Sequence, residues 1–373
     1  MAEGVFSAPA YDLNRVKRLL RSDVCAFVLL VLLPSPVYAL EIYHAAAGIK
    51  IGSDFLSFWQ AGRSVLHGRS PYPSIESLPA VANSLTFAPF VYPAPAAYWM
   101  VPLALLPFPV AATIFLFASW LAAALALRLL EVRDWRCYAA MYATVPMVAG
   151  TALGTFSPWL FLGAAAAWRW RDTARRVGPL VGLLVIAKVF LWPLGLWLLY
   201  TRRYAAAAIS AAVAFVLTLA AWGALGFAGL ADYPKLLSRL TGLVGINGYS
   251  PFALLHAEGL SLAAAQRVVL VLTVVLIAAC AFLWRKGRTD HAAFVAALGI
   301  ALFATPVLWP HYFLLAFVPL ALARRTFSWP WVLPIAIWLC GNGWSRGDAR
   351  LIVAQLAICT VPFALALRRR TPA

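Results

Sequence analysis

The sequence predicts an all-α, polytopic integral membrane protein, and three observations carry that prediction. Of its 373 residues, 64% are hydrophobic and only 12% are charged. A soluble domain is nearer one quarter charged, so the two or three soluble domains that the length would allow could not be covered with polar surface. Apolar runs of membrane-spanning length recur from Val24 to Leu367, and a spanning helix needs about 20 apolar residues. The third observation is where the net charge of +17 sits. Eighteen of the 30 Lys and Arg fall in six short clusters between apolar runs: 15–21, 169–176, 202–203, 285–288, 324–325 and 368–370. That spacing is the positive-inside signature of cytoplasmic loops. No stretch forms a basic stripe with interleaved aromatics, which argues against nucleic acid as a partner. The five cysteines stand apart in apolar runs with no CxxC, as buried small hydrophobes do.

Taken in order, the chain reads as one multi-pass domain over 1–373, with a cytoplasmic tail at 1–23. The first span covers about Val24–Tyr43. Its basic lead and the Val37-Tyr38-Ala39 end resemble a signal peptide, but the equally apolar remainder favours an uncleaved span. The longest interruption, 44–91, is then an extracytoplasmic loop. Further candidate segments are 93–107, 109–130, 137–150, 155–170, 178–200, 204–223, 262–284, 290–309, 311–323, 329–344 and 351–367. Lys188 and Pro193 interrupt 178–200, which suggests two half-length helices lining a cavity. The expected total is 10 to 13 segments in a cell membrane, both termini cytoplasmic. Polar stretches at Gly226–Ser261 and Gly341–Arg350 alternate to the outside, so a working site is expected at the outer membrane interface. Ala205–Ala208 suggests close helix packing, and Gly150 and Gly154 form a single GxxxG.

Carboxylates are scarce, at 13. Most stand beside arginines or near span ends, and none is read as lying well inside an apolar run. Asp54 begins a segment whose apolar residues (Phe55, Phe58, Trp59, Val65, Leu66) fall at helical spacing, as in a helix lying in the interface plane. Gly68 and Pro71 end it. Asp54 is therefore either a helix cap or a general base at the membrane surface. Lys188 inside an apolar run implies either an anionic partner such as a lipid phosphate or snorkelling to an interface. Arg346 and Arg350 around Asp348 read as a phosphate clamp or as a local ion-pair cluster. His311 lies between prolines, which implies a non-helical break. The five histidines show no ligand spacing, so no metal is expected. Walker-type, GxGxxG and GxSxG motifs are missing, so a nucleotide has no visible site and no cofactor is expected.

Asp54-Phe55, Phe58-Trp59-Gln60-Ala61-Gly62-Arg63, Gly68 and Pro71-Tyr72 resemble the first outer loop of glycosyltransferase family 87. Phe90-Val91-Tyr92-Pro93 through Pro107 is similar to the segment that follows in that family. Ala187-Lys188-Val189 resembles its mid-chain Lys segment, with Val189 where Pro is usual. Asn247-Gly248-Tyr249-Ser250 and Thr305-Pro306 to Trp309-Pro310-His311-Tyr312 are similar to two later elements. The resemblance implies a GT-C-type bundle that moves a sugar, typically mannose, from a polyprenyl-phosphate donor to a glycolipid or glycan acceptor. It implies Asp54 as the general base and His311 as a second catalytic residue. It also implies substrate contacts at Lys188, Arg63, Tyr92 and Asn247, with Arg346 or His311 beside the departing phosphate. Such a phosphomonoester leaves without an obligatory metal. Two other classes compete: a lipid or solute transporter, which would show paired halves with charges in matching spans, and a non-catalytic partner in envelope assembly, for which Asp54 would be dispensable.

Overall fold

Proline and glycine decide where the apolar runs break. The structure is a computed structural model that describes residues 22–47, 53–78, 88–285, 289–340, 343 and 345–368. The basic cluster 15–21, Lys286, Arg288, Asn342, Trp344, Arg369 and Arg370 lie outside the described residues. Within them the chain is helical. The first helices are α1 (Ser22–Ala46), α2 (Ser53–Leu66), α3 (Ala94–Trp99), α4 (Val101–Ala104), α5 (Phe108–Leu129) and α6 (Trp135–Tyr142). Next come α7 (Val145–Ala152), α8 (Ser157–Arg169), α9 (Ala174–Ala187), α10 (Val189–Tyr200), α11 (Tyr204–Gly223) and α12 (Tyr233–Val244). The last are α13 (Pro251–Ala257), α14 (Leu262–Arg285), α15 (Asp290–Phe303), α16 (Pro310–Ala323), α17 (Trp329–Cys340) and α18 (Ala349–Arg368).

Among the described residues, five helices are long and apolar enough to cross a membrane: α1, α5, α11, α14 and α18. A sixth span results if α7 and α8, bent by 120°, are taken as one. Fewer helices therefore cross unaided than the 10 to 13 segments expected, and the reason is local. Pro146, Pro158 and Pro251 each stand in the first turn of a helix, and Pro193 opens the α-helical part of α10 after a tight turn at Val189–Leu191; there the ring is pre-organised and the missing N–H costs nothing. Pro146 and Pro193 thereby restart a helix inside runs, 137–150 and 178–200, that read as single apolar segments. The break anticipated within 178–200 is present, with Lys188 extended at φ −149°, ψ 110°.

Close packing is set by small residues. On α9, a Cβ at Gly178 would meet the Ala206 carbonyl at 2.9 Å, and one at Gly182 the Ser210 carbonyl at 2.7 Å. The α9–α11 contact therefore rests on this GxxxG and on fully buried Ala206. The Gly150–Gly154 pair does a different job, described below. One acidic residue near a span end is nonetheless enclosed by the bundle. Glu41 is within α1 and 4% exposed, and it is tolerated there because Thr151 Oγ1 donates to it at 3.2 Å.

Helices α9 and α15 connect two polar poles. At their N-terminal ends, Arg203 donates to Asp290 at 2.8 and 2.9 Å and to Asp172 at 2.9 Å. Arg171 adds a 3.3 Å ion pair to Asp290, and Trp197 Nε1 donates to the same carboxylate at 2.7 Å. At their C-terminal ends, about 20 Å away by helical rise, a cavity opens beside Lys188 and Ala304.

Candidate active site

The cavity has a volume of about 560 Å³. Its walls come from the first turn of α2, residues 88–93, the end of α7, the break before α10, one face of α12, the end of α15 and the loop into α16. Each wall is held by identifiable contacts.

The greasy face of α2 packs against protein. Phe55 stacks on Phe115 at 4.8 Å, and Phe58 meets Tyr92 at 4.6 Å and Phe156 at 4.4 Å. Burying each ring stabilises the docking by about 1.5–3 kcal/mol. The Phe55 N–H, one of the unpaired donors of a helix start, donates to the Leu153 carbonyl at 3.2 Å. Gly154 makes this approach possible, because a Cβ there would lie 2.5 Å from the Phe55 Cβ and its φ is +65°. Asp54 is thereby fixed as the second residue of α2 and faces the cavity, two positions beyond where a cap residue would stand.

Residues 88–93 are pinned by two tyrosine hydroxyls. Tyr72 donates to the Tyr92 carbonyl at 2.9 Å, and Tyr233 donates to the Val91 carbonyl at 3.0 Å. Tyr72 also stacks on Trp222 at 5.1 Å. Burial pushes both hydroxyls up from their ordinary ionisation range, so they remain donors. The pinned Tyr92 turns its own hydroxyl toward Asp54, donating to Oδ2 at 3.5 Å.

Lys188 stands across the cavity. Its ammonium lies 3.8 Å from the Tyr92 ring centroid and 4.9 Å from that of Tyr312, and it donates to the Tyr312 hydroxyl at 2.5 Å. Asp54 and Lys188 also interact electrostatically. Aromatic faces and a phenol support a cation without neutralising it. Among the described residues lining the cavity, Lys188 is the one Lys or Arg.

His311 is 3% exposed, and neither ring nitrogen has a hydrogen-bond partner. Its loop is clamped by the Asn247–Ser250 element. Tyr249 N–H donates to the Leu308 carbonyl at 2.7 Å, and Ser250 Oγ donates to that of Pro306 at 2.8 Å. A Cβ at Gly248 would sit 2.8 Å from the Leu308 oxygen, so glycine is needed for the close approach.

Of the residues singled out from sequence, Asp54, Tyr92, Lys188 and His311 converge on one cavity. Arg63, Asn247 and Arg346 do not line it. Arg63 is exposed over the Trp59 ring at 4.9 Å. The Asn247 carbonyl accepts from Ser345 N–H at 2.8 Å, which gives it a place in the loop clamp. Arg346 is exposed at φ 53°, while the adjacent Asp348 accepts from the Arg350 N–H at 2.9 Å at the start of α18. Sequence reading missed Ser57 and Tyr312 as lining residues. Ser57 follows Asp54 by three, a spacing that shares a helix face, and Tyr312 adjoins His311.

The remaining wall is apolar. Tyr233, Leu237, Leu240, Thr241 and Val244 present one face of α12 to the cavity, while Lys235 and Arg239 on its other side are exposed. One chamber thus joins a carboxylate, an ammonium, an unpartnered imidazole and an apolar channel. That combination suits an amphiphile with an anionic head.

A family model described as glycosyltransferase family 87 matches residues 90–310. The match includes Tyr92, Lys188 and Asn247, begins beyond Asp54 and ends one residue before His311. No curated protein and no solved structure matches the chain.

Proposed function

The chain belongs to glycosyltransferase family 87, and from that premise we propose that its cavity transfers a sugar, mannose in the first instance, from a polyprenyl-phosphate donor to an acceptor on the extracytoplasmic side. The observation that carries this reading is the pairing of Asp54 and Lys188 across one chamber with an apolar wall. The phosphate of the donor sits at Lys188, and its isoprenoid tail runs along the α12 face. The acceptor hydroxyl sits at Asp54.

In the transfer step the acceptor oxygen bonds to the anomeric carbon while the bond from that carbon to the phosphate oxygen breaks. Asp54 takes the acceptor proton as the new bond forms, a role that contributes about 10²–10⁴-fold in rate. Negative charge collects on the departing phosphate, which the Lys188 ammonium is placed to meet. Removing one such stabilising donor costs about 10²–10³-fold. His311 donates a hydrogen bond to the phosphate or sugar from one nitrogen and accepts one with the other. The Tyr92 hydroxyl orients the Asp54 carboxylate.

The test is transfer by the purified protein in proteoliposomes, with radiolabelled polyprenyl-phosphate mannose and crude membrane lipids as acceptors. Label should move to an acceptor when donor is supplied outside the bilayer face that carries the basic loops. Transfer from a nucleotide sugar, or from no polyprenyl-linked sugar tried, would overturn this choice of donor.

A further inference from the structure

Ser57 is 2% exposed, and its hydroxyl has no hydrogen-bond partner. A serine inside a helix ordinarily bonds back to a carbonyl one turn earlier, and a buried hydroxyl left unpaired costs about 1–3 kcal/mol. Nothing in the packing of α2 requires a hydroxyl here, because its neighbours Phe58 and Ala61 on the buried face are apolar. Ser57 does line the cavity, one helical turn from Asp54.

We propose that Ser57 is an acceptor-binding residue that hydrogen-bonds the hydroxyl next to the one Asp54 deprotonates, so that the acceptor is a ring carrying a vicinal diol. This rests on the reading of Asp54 as base. Residues three apart on a helix hold their Cβ atoms about 5–6 Å apart. Neighbouring hydroxyls on a six-membered ring lie about one hydrogen-bond length apart, so a diol can reach both side chains at ordinary distances. The chemistry is complementary at both positions. The Asp54 carboxylate only accepts, so it takes the hydroxyl that must lose its proton. The Ser57 hydroxyl can donate and accept, so it holds a hydroxyl that keeps its proton. An acceptor with an isolated alcohol would leave Ser57 unpaired after binding, and a site built to pair a hydroxyl discriminates against ligands that lack it. Ser57 therefore selects sugar or cyclitol rings over serine, threonine or simple lipid alcohols.

The experiment compares wild type, Ser57→Ala, Ser57→Thr and Asp54→Asn in proteoliposomes with radiolabelled polyprenyl-phosphate mannose. The acceptors are crude membrane lipids, octyl α-mannoside and each of its monodeoxy analogues. In wild type, one deoxy analogue should be dead, since it lacks the nucleophile. One neighbouring analogue should fall about threefold to tenfold in kcat/KM, the worth of one neutral hydrogen bond. Ser57→Ala should lower the full acceptor to the level of that neighbouring analogue while leaving the analogue itself unchanged, and Ser57→Thr should restore the preference. Melting of Ser57→Ala should be at or above wild type, because no bond within the protein is lost and a buried unpaired hydroxyl is removed. Equal rates and an intact preference in Ser57→Ala would overturn the assignment while leaving the Asp54 reading in place. Equal transfer by Asp54→Asn, or a wild type inert towards every acceptor, would overturn both.

Discussion

The two poles joined by α9 and α15 carry similar side chains in opposite states. At one pole, Arg171, Arg203, Asp172, Asp290 and Trp197 are tied together by ion pairs and hydrogen bonds of 2.7–3.3 Å. At the other, Asp54 and Lys188 line one cavity, each held by a tyrosine hydroxyl, and Ser57 and His311 are buried without partners. A charge cluster that satisfies itself has nothing left to offer a ligand, and its worth is structural. Polar groups kept apart inside an apolar chamber have their remaining bonding capacity directed at whatever enters. Unpartnered buried atoms also occur at His44 and Ser157, but these do not line the cavity. The combination of missing partners and adjoining space therefore distinguishes the pole proposed as the transfer site.

The comparison can be broken by substitution at either pole. The largest effect is expected from Asp54→Asn, which should reduce sugar transfer by about 10²–10⁴-fold with melting close to wild type. Lys188→Met should follow, at about 10²–10³-fold, measured as kcat with saturating donor. Gly154→Ala should be smaller and mixed. The positive φ and the clash with Phe55 strain the elbow by about 1–3 kcal/mol, lowering both the melting temperature and the transfer rate, because α2 and Asp54 shift together. Arg203→Ala should show the reverse of Asp54→Asn. It leaves Asp290 and Asp172 short of their cation and should cost about 1–3 kcal/mol in stability, read by thermal unfolding, while transfer per folded molecule stays unchanged. The smallest effect, less than about twofold, is expected for Arg63→Ala and Arg346→Ala, which alter exposed groups of low energetic weight. A large kinetic loss in either would mean that the cavity closes on substrate in a geometry different from the one described.

Much of this was legible in the sequence, for reasons that differ by residue. Asp54 stood out because a carboxylate at the start of an amphipathic segment is chemically conspicuous, and Lys188 because a charge inside an apolar run demands compensation. The helical class followed from apolar run length. What one dimension could not show was convergence. Arg63, Asn247 and Arg346 look as polar and as well placed as Tyr92, yet only Tyr92 is turned inward, by the outer hydrogen bonds of Tyr72 and Tyr233. The segment 137–150 was read as continuous because Pro146 restarts a helix without making the run less apolar. Glu41 was overlooked because its partner, Thr151, is distant in the chain. Gly178 and Gly182 passed unnoticed because a GxxxG gains meaning only from the backbone it faces.

The most direct test is an experimental structure of the full-length chain in a lipid nanodisc with a polyprenyl-phosphate sugar bound. The phosphate is expected within hydrogen-bond reach of Lys188 Nζ, the sugar between Asp54 and His311, and the isoprenoid chain along Leu237, Leu240 and Val244. A donor lodged elsewhere, touching neither Asp54 nor Lys188, would contradict the assignment of this cavity as the transfer site.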